Sequence, residues 1–433
     1  MAERADILVV GAGAAGLMAA IWAGRIARSQ RKPTRIVAVD GAARIGAKIL
    51  VAGGGRCNVT HHEVCERDYA AGPGSTLNAV RNVLRAFPVP RTVEFFSQLG
   101  VELKREETGK LFPVTDDAHT VLDALLRAAR EAGVEVLHPW RVARVERNAD
   151  AYTVSGTAGE LHAAKVILAT GGKSLPKTGS DGHGLDIAAA LGHTVTRTFP
   201  ALVPLLLDKS RSFIPALSGI AHTAEVTVVS TSGKRIISFT DALLCTHFGL
   251  SGPAALNVSR HLSAAKHEDR GAGLIINWLP GRTFEQVDAA LVKAESESRS
   301  LVRLFAEDSA FSPALPERLL RAVVESVGAD PSGPARAMSR ELRRRLARAL
   351  TTMPVPVTGD RGYLFAEVTA GGVPLREVRL ESMESRVQVG LYLCGEILDV
   401  DGRIGGFNFQ WAWATGYLAG CGAARGSRAE VES

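Results

Sequence analysis

The chain is poor in cysteine and has none of the motifs that use it. Cys57, Cys65, Cys245, Cys394 and Cys421 are scattered over 433 residues with no CxxC pair and no metal-ligand spacing. That scatter excludes a readable disulfide framework and a metal site, and it points to reduced thiols. No apolar run approaches the ~20 residues that span a bilayer. The N-terminus enters an apolar run at Ile7 without a basic leader or a small-residue cleavage site, so a soluble, cytoplasmic protein with no membrane association is expected. Excess charge is slight too. A formal +6 suits anionic small molecules and makes no case for nucleic acid.

What the sequence does contain begins at Asp6. In DILVVGAGAAGLMAAIWAGR a β-like apolar run passes through glycines into helical spacing. Gly11, Gly13 and Gly16 form GxGxxG in the setting that gives it meaning: the first allows the turn, the second lets backbone approach a pyrophosphate, and the third lets helix sit on strand. The helix start at Ala14 and Ala15 offers free N–H groups and a positive dipole end to phosphates. A second buried run, RIVAVD at 35–40, ends on Asp40, the acid expected to bind ribose hydroxyls. An acid there disfavours the 2′-phosphate of NADP and leaves NAD or FAD. No second GxGxxG follows a strand, so a nicotinamide would dock only as a transient co-substrate.

Further along, DDAHTVLDALLRAAREAG reads as a helix capped by Asp116 or Asp117 and closed at Gly133. VEVLHP, RVARVER and AYTVSG alternate as strands before the buried run KVILATGG. The texture changes after Pro200. AEVTVVSTSGKRIISF has the pattern of a hairpin turning at Ser232-Gly233, residues 284–350 are mostly charged helical pattern, and Pro354 and Pro356 end it. Strand-like runs then resume at YLFAEVTAGG and GLYLCGE, and the last dozen residues read as a tail.

VILATGG resembles the strand and turn that two-dinucleotide flavoproteins carry after a small meander. GLYLCGEILDVDGRIGGFNFQWAWATG resembles their C-terminal flavin-binding segment. Together with GAKILVAGGGRCNVT, LFPVTDDAHTVLDALL, THFGLSGPAAL and AEVTAGGV, these strings resemble, from about Asp6 to Gly420, a family of FAD-binding flavoproteins. That family includes aminoacetone oxidases, bile-acid dehydro-reductases and NAD(P)/FAD-dependent oxidoreductases.

The resemblance implies an α/β fold: a discontinuous, Rossmann-like FAD domain of the two-dinucleotide type, interrupted by an insert with a β-barrel-like part and a helical part. The expected segments are 1–196 and 357–433 for the FAD domain and 197–356 for the insert, its β part about 197–280 and its helical part about 281–356. Non-covalent FAD is the implied cofactor. Its implied contacts are Gly11, Gly13, Ala14, Ala15, Gly16, Asp40, Lys48, Gly55, Arg56, Cys57, Asn58, Val142, Ala169, Thr170, Gly171, Gly395, Glu396, Asp399, Gly405, Gly406, Phe407 and Asn408. A helix starting near Phe407 would aim its N-terminus at the flavin N1/C2 region.

GGGRCN at 53–58 would bring backbone, Arg56, Cys57 and Asn58 to the cofactor's phosphates or ring. Cys57 is also a catalytic candidate, with a small buried apolar residue as the alternative, and Lys48 reads also as a solvated loop lysine. Cys65 stands eight residues from Cys57, outside any dithiol spacing. In the insert, Thr246 and His247 of CTHFGLSGP are the candidate substrate residues, His247 as general base or carbonyl holder, against a plain structural histidine. RELRRRLARAL is an arginine-rich helix with two readings, a solvated helix face near a partner surface or domain seam, and a nucleic-acid contact.

Three function classes fit. The first is an FAD-dependent oxidoreductase that passes a hydride between a small organic substrate and flavin N5, with NAD(P)H or dioxygen as the other partner. The second is an RNA-associated flavoprotein, and the third a non-enzymatic flavin carrier or redox sensor. The oligomeric state is not legible.

Overall fold

The computed structural model describes residues 3–294, 299–308, 311–312 and 314–425. The chain divides into two compact units, Met1–Thr198 with Glu367–Ser433, and Phe199–Ala366, and each has its own apolar core.

The first unit is built on the apolar runs read from the sequence. β1 (Glu3–Val10) turns into α1 (Ala14–Ser29), and β2 (Ile36–Val39) follows, buried at all four positions, as a strand covered on both faces must be. β1 lies between β2 and the strand Gly159–Leu168, parallel to both, and that strand pairs in parallel with Leu391–Leu393. Among the described residues this sheet has nine strands, three of them the antiparallel meander Val142–Asn148, Ala151–Gly156 and Gly159–Leu168.

Register places the site. Val10 is opposite Val39 and Leu168, and Leu168 is opposite Leu393. The chain therefore leaves four strands at one level of one sheet edge; Gly11, Asp40 and Ala169 follow at once, and Gly395 comes one residue later, after Cys394. Ligands of open α/β sheets bind beyond the carboxyl ends of the strands for this reason. The C-terminal helix Phe407–Arg425 lies against α1 through small residues. A Cβ at Gly416 would stand 2.5 Å from the Ala15 carbonyl oxygen, and one at Gly420 would stand 2.2 Å from that of Ala19.

The second unit has, among the described residues, a seven-stranded antiparallel sheet in the order 353–355, 273–277, 221–229, 235–246, 249–251, 205–207, 357–360. The expected hairpin is Ala221–Val229 with Arg235–Thr246. Helices Phe284–Lys293, Leu301–Glu307, Glu317–Ser326 and Arg340–Thr351 form the helical part. This unit extends ten residues beyond the expected break at 356, because Val357–Asp360 pairs with Leu205–Leu207. YLFAEVTAGG is less extended than its texture predicts: Tyr363–Phe365 is a turn, with Phe365 N–H donating to the Gly362 carbonyl, and only Val368–Ala370 is strand. The expected tail lies outside the described residues from 426 onward. No helix among the described residues is long and apolar enough to cross a membrane.

Candidate cofactor site

The turn between β1 and α1 is shaped by what glycine omits. A Cβ at Gly16 would sit 1.8 Å from the Gly11 carbonyl oxygen, and one at Gly11 would sit 2.5 Å from that of Ala169. Strand, turn and helix thus touch backbone to backbone. At Gly13 a Cβ would meet nothing within 4 Å. That open position lies at the N-cap of α1, which has no side-chain cap and no acid in its first turn, so its N–H groups and positive end face the space. Asp40 takes the Ala12 N–H on one oxygen (2.7 Å) and the Ala42 N–H on the other (2.8 Å), and each oxygen keeps a further lone pair for a ribose hydroxyl. Val142 starts the meander next to this point. Trp140 N–H donates to the Asp40 carbonyl at 2.6 Å, and Gly41 lies against Arg141.

Thr170 Oγ1, just beyond the strand Gly159–Leu168, and Asn58 Oδ1, at the end of the loop 53–58, are buried polar atoms with no hydrogen-bond partner among the described residues. Unpaired buried oxygens are costly and call for an explanation. A bound dinucleotide supplies hydroxyl, amide and ring N–H donors. The open cradle at Gly13, the uncapped helix and the two orphaned oxygens fit such a group.

Beyond the next strand ends lies a polar network. α2 (Ala47–Val51) carries Lys48, whose Nζ donates to Glu396 Oε2 (2.6 Å) and to Ser174 Oγ (2.7 Å). Glu396 Oε1 accepts from Ser174 Oγ (2.8 Å) and from Thr369 N–H (2.8 Å), while Thr369 Oγ1 accepts the N–H groups of Lys173 and Ser174. Lys48 and Glu396 are 29% and 18% exposed, so this pair is partly desolvated and its charge-assisted bonds are short and directional. Ser174 Oγ also reaches the carbonyl oxygen of Glu367 at 3.2 Å. The Glu367 side chain keeps contact with solvent, yet the surrounding protein raises its pKa by desolvation, opposed by Lys110 and Lys48. Lys48 is therefore no solvated loop lysine, and Glu396 is held by three donors. Ser174, Thr369 and Glu367 were not visible as site residues in the sequence.

The loop at 53–58 has a run of left-handed backbone. Gly53, Gly54 and Gly55 have φ of 59°, 71° and 89°, and Cys57 has φ 60°. The three glycines pass through conformations that side chains resist. One expectation needs correction. The Cys57 thiol is fully buried, and desolvation pushes its pKa up to about 12, so it is a neutral packing residue and not a catalytic thiolate. Arg56 is committed within the protein: Nη1 is 2.6 Å from Glu106 and 3.5 Å from Asp116, and the guanidinium lies 4.0 Å from the Phe112 ring centroid. These contacts use Nη1 and one face of a guanidinium that carries five N–H donors.

The closing segment divides likewise. Gly395 (φ 80°) donates its N–H to Thr415 Oγ1 at 2.9 Å. Gly405 and Gly406 precede the C-terminal helix, and a Cβ at Gly406 would stand 2.5 Å from the Thr60 backbone, so Phe407 starts that helix where the sequence reading put it. Asn408 is spent on structure, its amide clamping Gly402 N–H (2.8 Å) and Gly402 C=O (2.9 Å). Asp399 is buried and accepts from Thr196 Oγ1 at 2.7 Å. Ala169 continues the strand register through Val10, and Gly171 (φ 72°) turns the chain.

Thr246 and His247 belong to the second unit. Thr246 Oγ1 accepts the Gly249 N–H and fixes the turn between strands, while His247 is exposed and meets Phe248 edge to face at 5.0 Å.

Residues 5–422 match the model described as the HI0933-like protein Rossmann domain. The chain belongs to the HI0933-like family. It is an FAD-binding Rossmann family of oxidoreductases, and FAD is thus the dinucleotide for the cradle at Gly13. This HI0933-like chain is 32% identical over 418 residues to a protein named 3-dehydro-bile acid delta(4,6)-reductase from Clostridium scindens, covering 96% of this chain and 98% of that protein. It is also 30% identical to proteins named ribosomal RNA dihydrouridine synthase from Escherichia coli and Haemophilus influenzae, covering 96% of this chain in each case and 97% and 98% of theirs.

Proposed function

We propose that this protein is an FAD-dependent reductase of a carbon–carbon double bond conjugated to a carbonyl, with NAD(P)H as electron donor and a small organic molecule as substrate. The observation that carries this reading is the common chemistry of the relatives' names. A 3-oxo steroid unsaturated at carbons 4 and 6 and the pyrimidine ring of uridine both present a C=C in conjugation with C=O, and both named products are its saturated form. The net reaction is C=C–C=O + NAD(P)H + H⁺ → CH–CH–C=O + NAD(P)⁺. The names favour reduction over the amine-oxidase alternative.

Bound FAD supplies the hydride chemistry. The chain's own residues hold and orient: the α1 N-terminus faces the pyrophosphate position, Asp40 the ribose, Thr170 and Asn58 offer acceptors, and Lys48 brings a fixed positive charge pinned by Glu396 and Ser174. A cation fixed by protein partners needs no reorganisation when charge develops near it.

A uridine in RNA is the second reading, favoured by the two synthase-named relatives. Against it stands the use made of the arginine-rich helix Arg340–Thr351. Arg343 is buried and bonded to Asp288 at 2.9 Å, and Arg344 and Arg348 lie over Phe284. Those cations serve packing within the second unit, against the helix Phe284–Lys293.

The test is anaerobic. NADH or NADPH is expected to bleach the flavin, and a steroid enone to restore its colour. Bleaching by an amine and not by either nicotinamide overturns the proposal. Flavin recovery with uridine-containing RNA alone, weakening with added salt, moves it to the second reading.

A further inference from the structure

We propose that Glu367 is the acid that delivers a proton to the carbon beside the carbonyl in the reduction proposed above. The net reaction consumes one H⁺, and no residue named so far gives it. The oxygens of Glu396 are taken by donors, Lys48 Nζ, Ser174 Oγ and the Thr369 N–H. The Cys57 thiol is buried. His61 is spent on the backbone, its ring nitrogens 2.7 and 3.0 Å from the carbonyl oxygens of Glu63 and Thr108. Glu367 differs from all of these. It is exposed, and its carboxyl makes no ion pair or hydrogen bond with any described residue.

The backbone that carries this acid is fixed on both sides of the Lys48 network. The Glu367 carbonyl accepts from Ser174 Oγ at 3.2 Å. Two residues on, the Thr369 N–H donates to Glu396 Oε1 at 2.8 Å, and Thr369 Oγ1 accepts the N–H groups of Lys173 and Ser174. Ser174 and Glu396 follow the strands Gly159–Leu168 and Leu391–Leu393, at the carboxyl edge of the sheet where a ligand binds. All of these residues belong to the first unit. Two opposed effects act on the carboxyl: desolvation favours the neutral acid and raises its pKa, while Lys110 and Lys48 favour the carboxylate. The first keeps a proton available, and the second stabilises the charge once the proton has left. A general acid needs both.

The step rests on the conjugated-bond reading, and it balances. Two electrons that originate in NAD(P)H reach the β carbon as hydride, the C=C pair moves to the α carbon, and that pair takes the Glu367 proton. One C–H bond forms there as the carboxyl O–H breaks, and a proton from solvent restores the acid. The full-length, FAD-loaded protein, reduced anaerobically with dithionite, is mixed in stopped flow with testosterone, a steroid enone. Glu367→Gln is expected to slow the return of flavin colour about 100-fold or more. Return of colour with dioxygen, which puts no proton on carbon, should stay as in the wild type, as should the flavin spectrum and the far-ultraviolet dichroism. Glu367→Asp is expected to recover part of the enone rate. In the wild type that rate should fall as pH rises and deprotonates the acid, and in Glu367→Gln it should be flat over the same range. Apart from turnover, infrared titration of the oxidised protein should show one protonated carboxyl that persists above the ordinary glutamate range and is missing in Glu367→Gln.

A wild-type enone rate in Glu367→Gln, a wild-type rate that does not fall with pH, or a carboxyl band that survives Glu367→Gln overturns the proposal and leaves the conjugated-bond reading standing. Reduced wild-type flavin that the enone fails to recolour defeats that reading, and the proposal with it, so the two failures are distinct.

Discussion

Two glycine-rich turns of the first unit use the same residue for opposite reasons. In the turn after β1, glycine is a matter of room: at Gly11 and Gly16 a single carbon would enter backbone at 2.5 and 1.8 Å. In the loop after α2, glycine is a matter of backbone angle. A Cβ at Gly54 would meet nothing and one at Gly55 only the Leu50 carbonyl at 3.9 Å, yet both have positive φ. The first turn joins three elements that cannot separate. The second has one tight point, Gly53, where a Cβ would stand 2.8 Å from Phe112 Cε1, and is open at Gly54 and Gly55. Equal glycine content therefore says nothing about equal sensitivity to substitution.

The comparison is broken most severely at Gly16. Gly16→Ala drives a methyl into the Gly11 carbonyl with helix and strand both fixed, and is expected to cost about 3 kcal/mol or more, read as a fall in the urea midpoint of the FAD-free protein. An apo stability within error of wild type would mean that the contact relaxes and that the two turns do not differ as described. Gly13→Ala separates room from binding. The methyl has free space within the protein but occupies the pyrophosphate approach, so apo stability should hold while FAD affinity falls about 100-fold, which is about 2.7 kcal/mol. Unchanged FAD binding would remove Gly13 from the cofactor site.

These differences were only partly open to a reader of the sequence. The β1–α1–β2 unit, Asp40 and the meander were legible because each depends on local periodicity or glycine spacing, whereas Gly395, Glu396 and the start of the last helix came only through the resemblance of the closing segment to a known family. The Lys48 network was not, since its bonds join residues 126, 222 and 348 positions apart and nothing local marks Ser174 or Thr369 as their meeting point. The ion pair of Arg56 was hidden for a related reason: its partner Glu106 lies 50 residues on, and the motif around the arginine is silent about it. The end of the second unit was set short because prolines at 354 and 356 look like a boundary, whereas the strand after them pairs back to Leu205–Leu207.

Gly54→Ala is the milder break. With open surroundings the whole effect is the strain of φ 71°, about 1 kcal/mol, offset in part by a stiffer unfolded chain. A midpoint shift comparable to that of Gly16→Ala would show an unseen steric partner and erase the distinction between the turns.

Near neutral pH the smallest effect belongs to Cys57, the non-glycine member of the second run of positive φ. Its thiol is expected to stay protonated and closed to reagents: with the pKa pushed from 9 to about 12 by burial, iodoacetamide at pH 8 should modify it far more slowly than exposed Cys65. The sign for stability follows. Below pH 9 folded and unfolded forms both keep the proton, so Cys57 adds no pH dependence. Between pH 9 and about 12 only the unfolded form releases it, and stability falls as pH rises, by up to about 1.4 kcal/mol per unit. Cys57→Ala keeps the Cβ and the backbone strain but removes the proton. The stability difference between the two proteins should therefore be flat below pH 9 and move in favour of alanine above it. A difference that is flat throughout, or rapid alkylation of Cys57 in the folded protein, would show the thiol to be solvated and return it to the list of reactive groups.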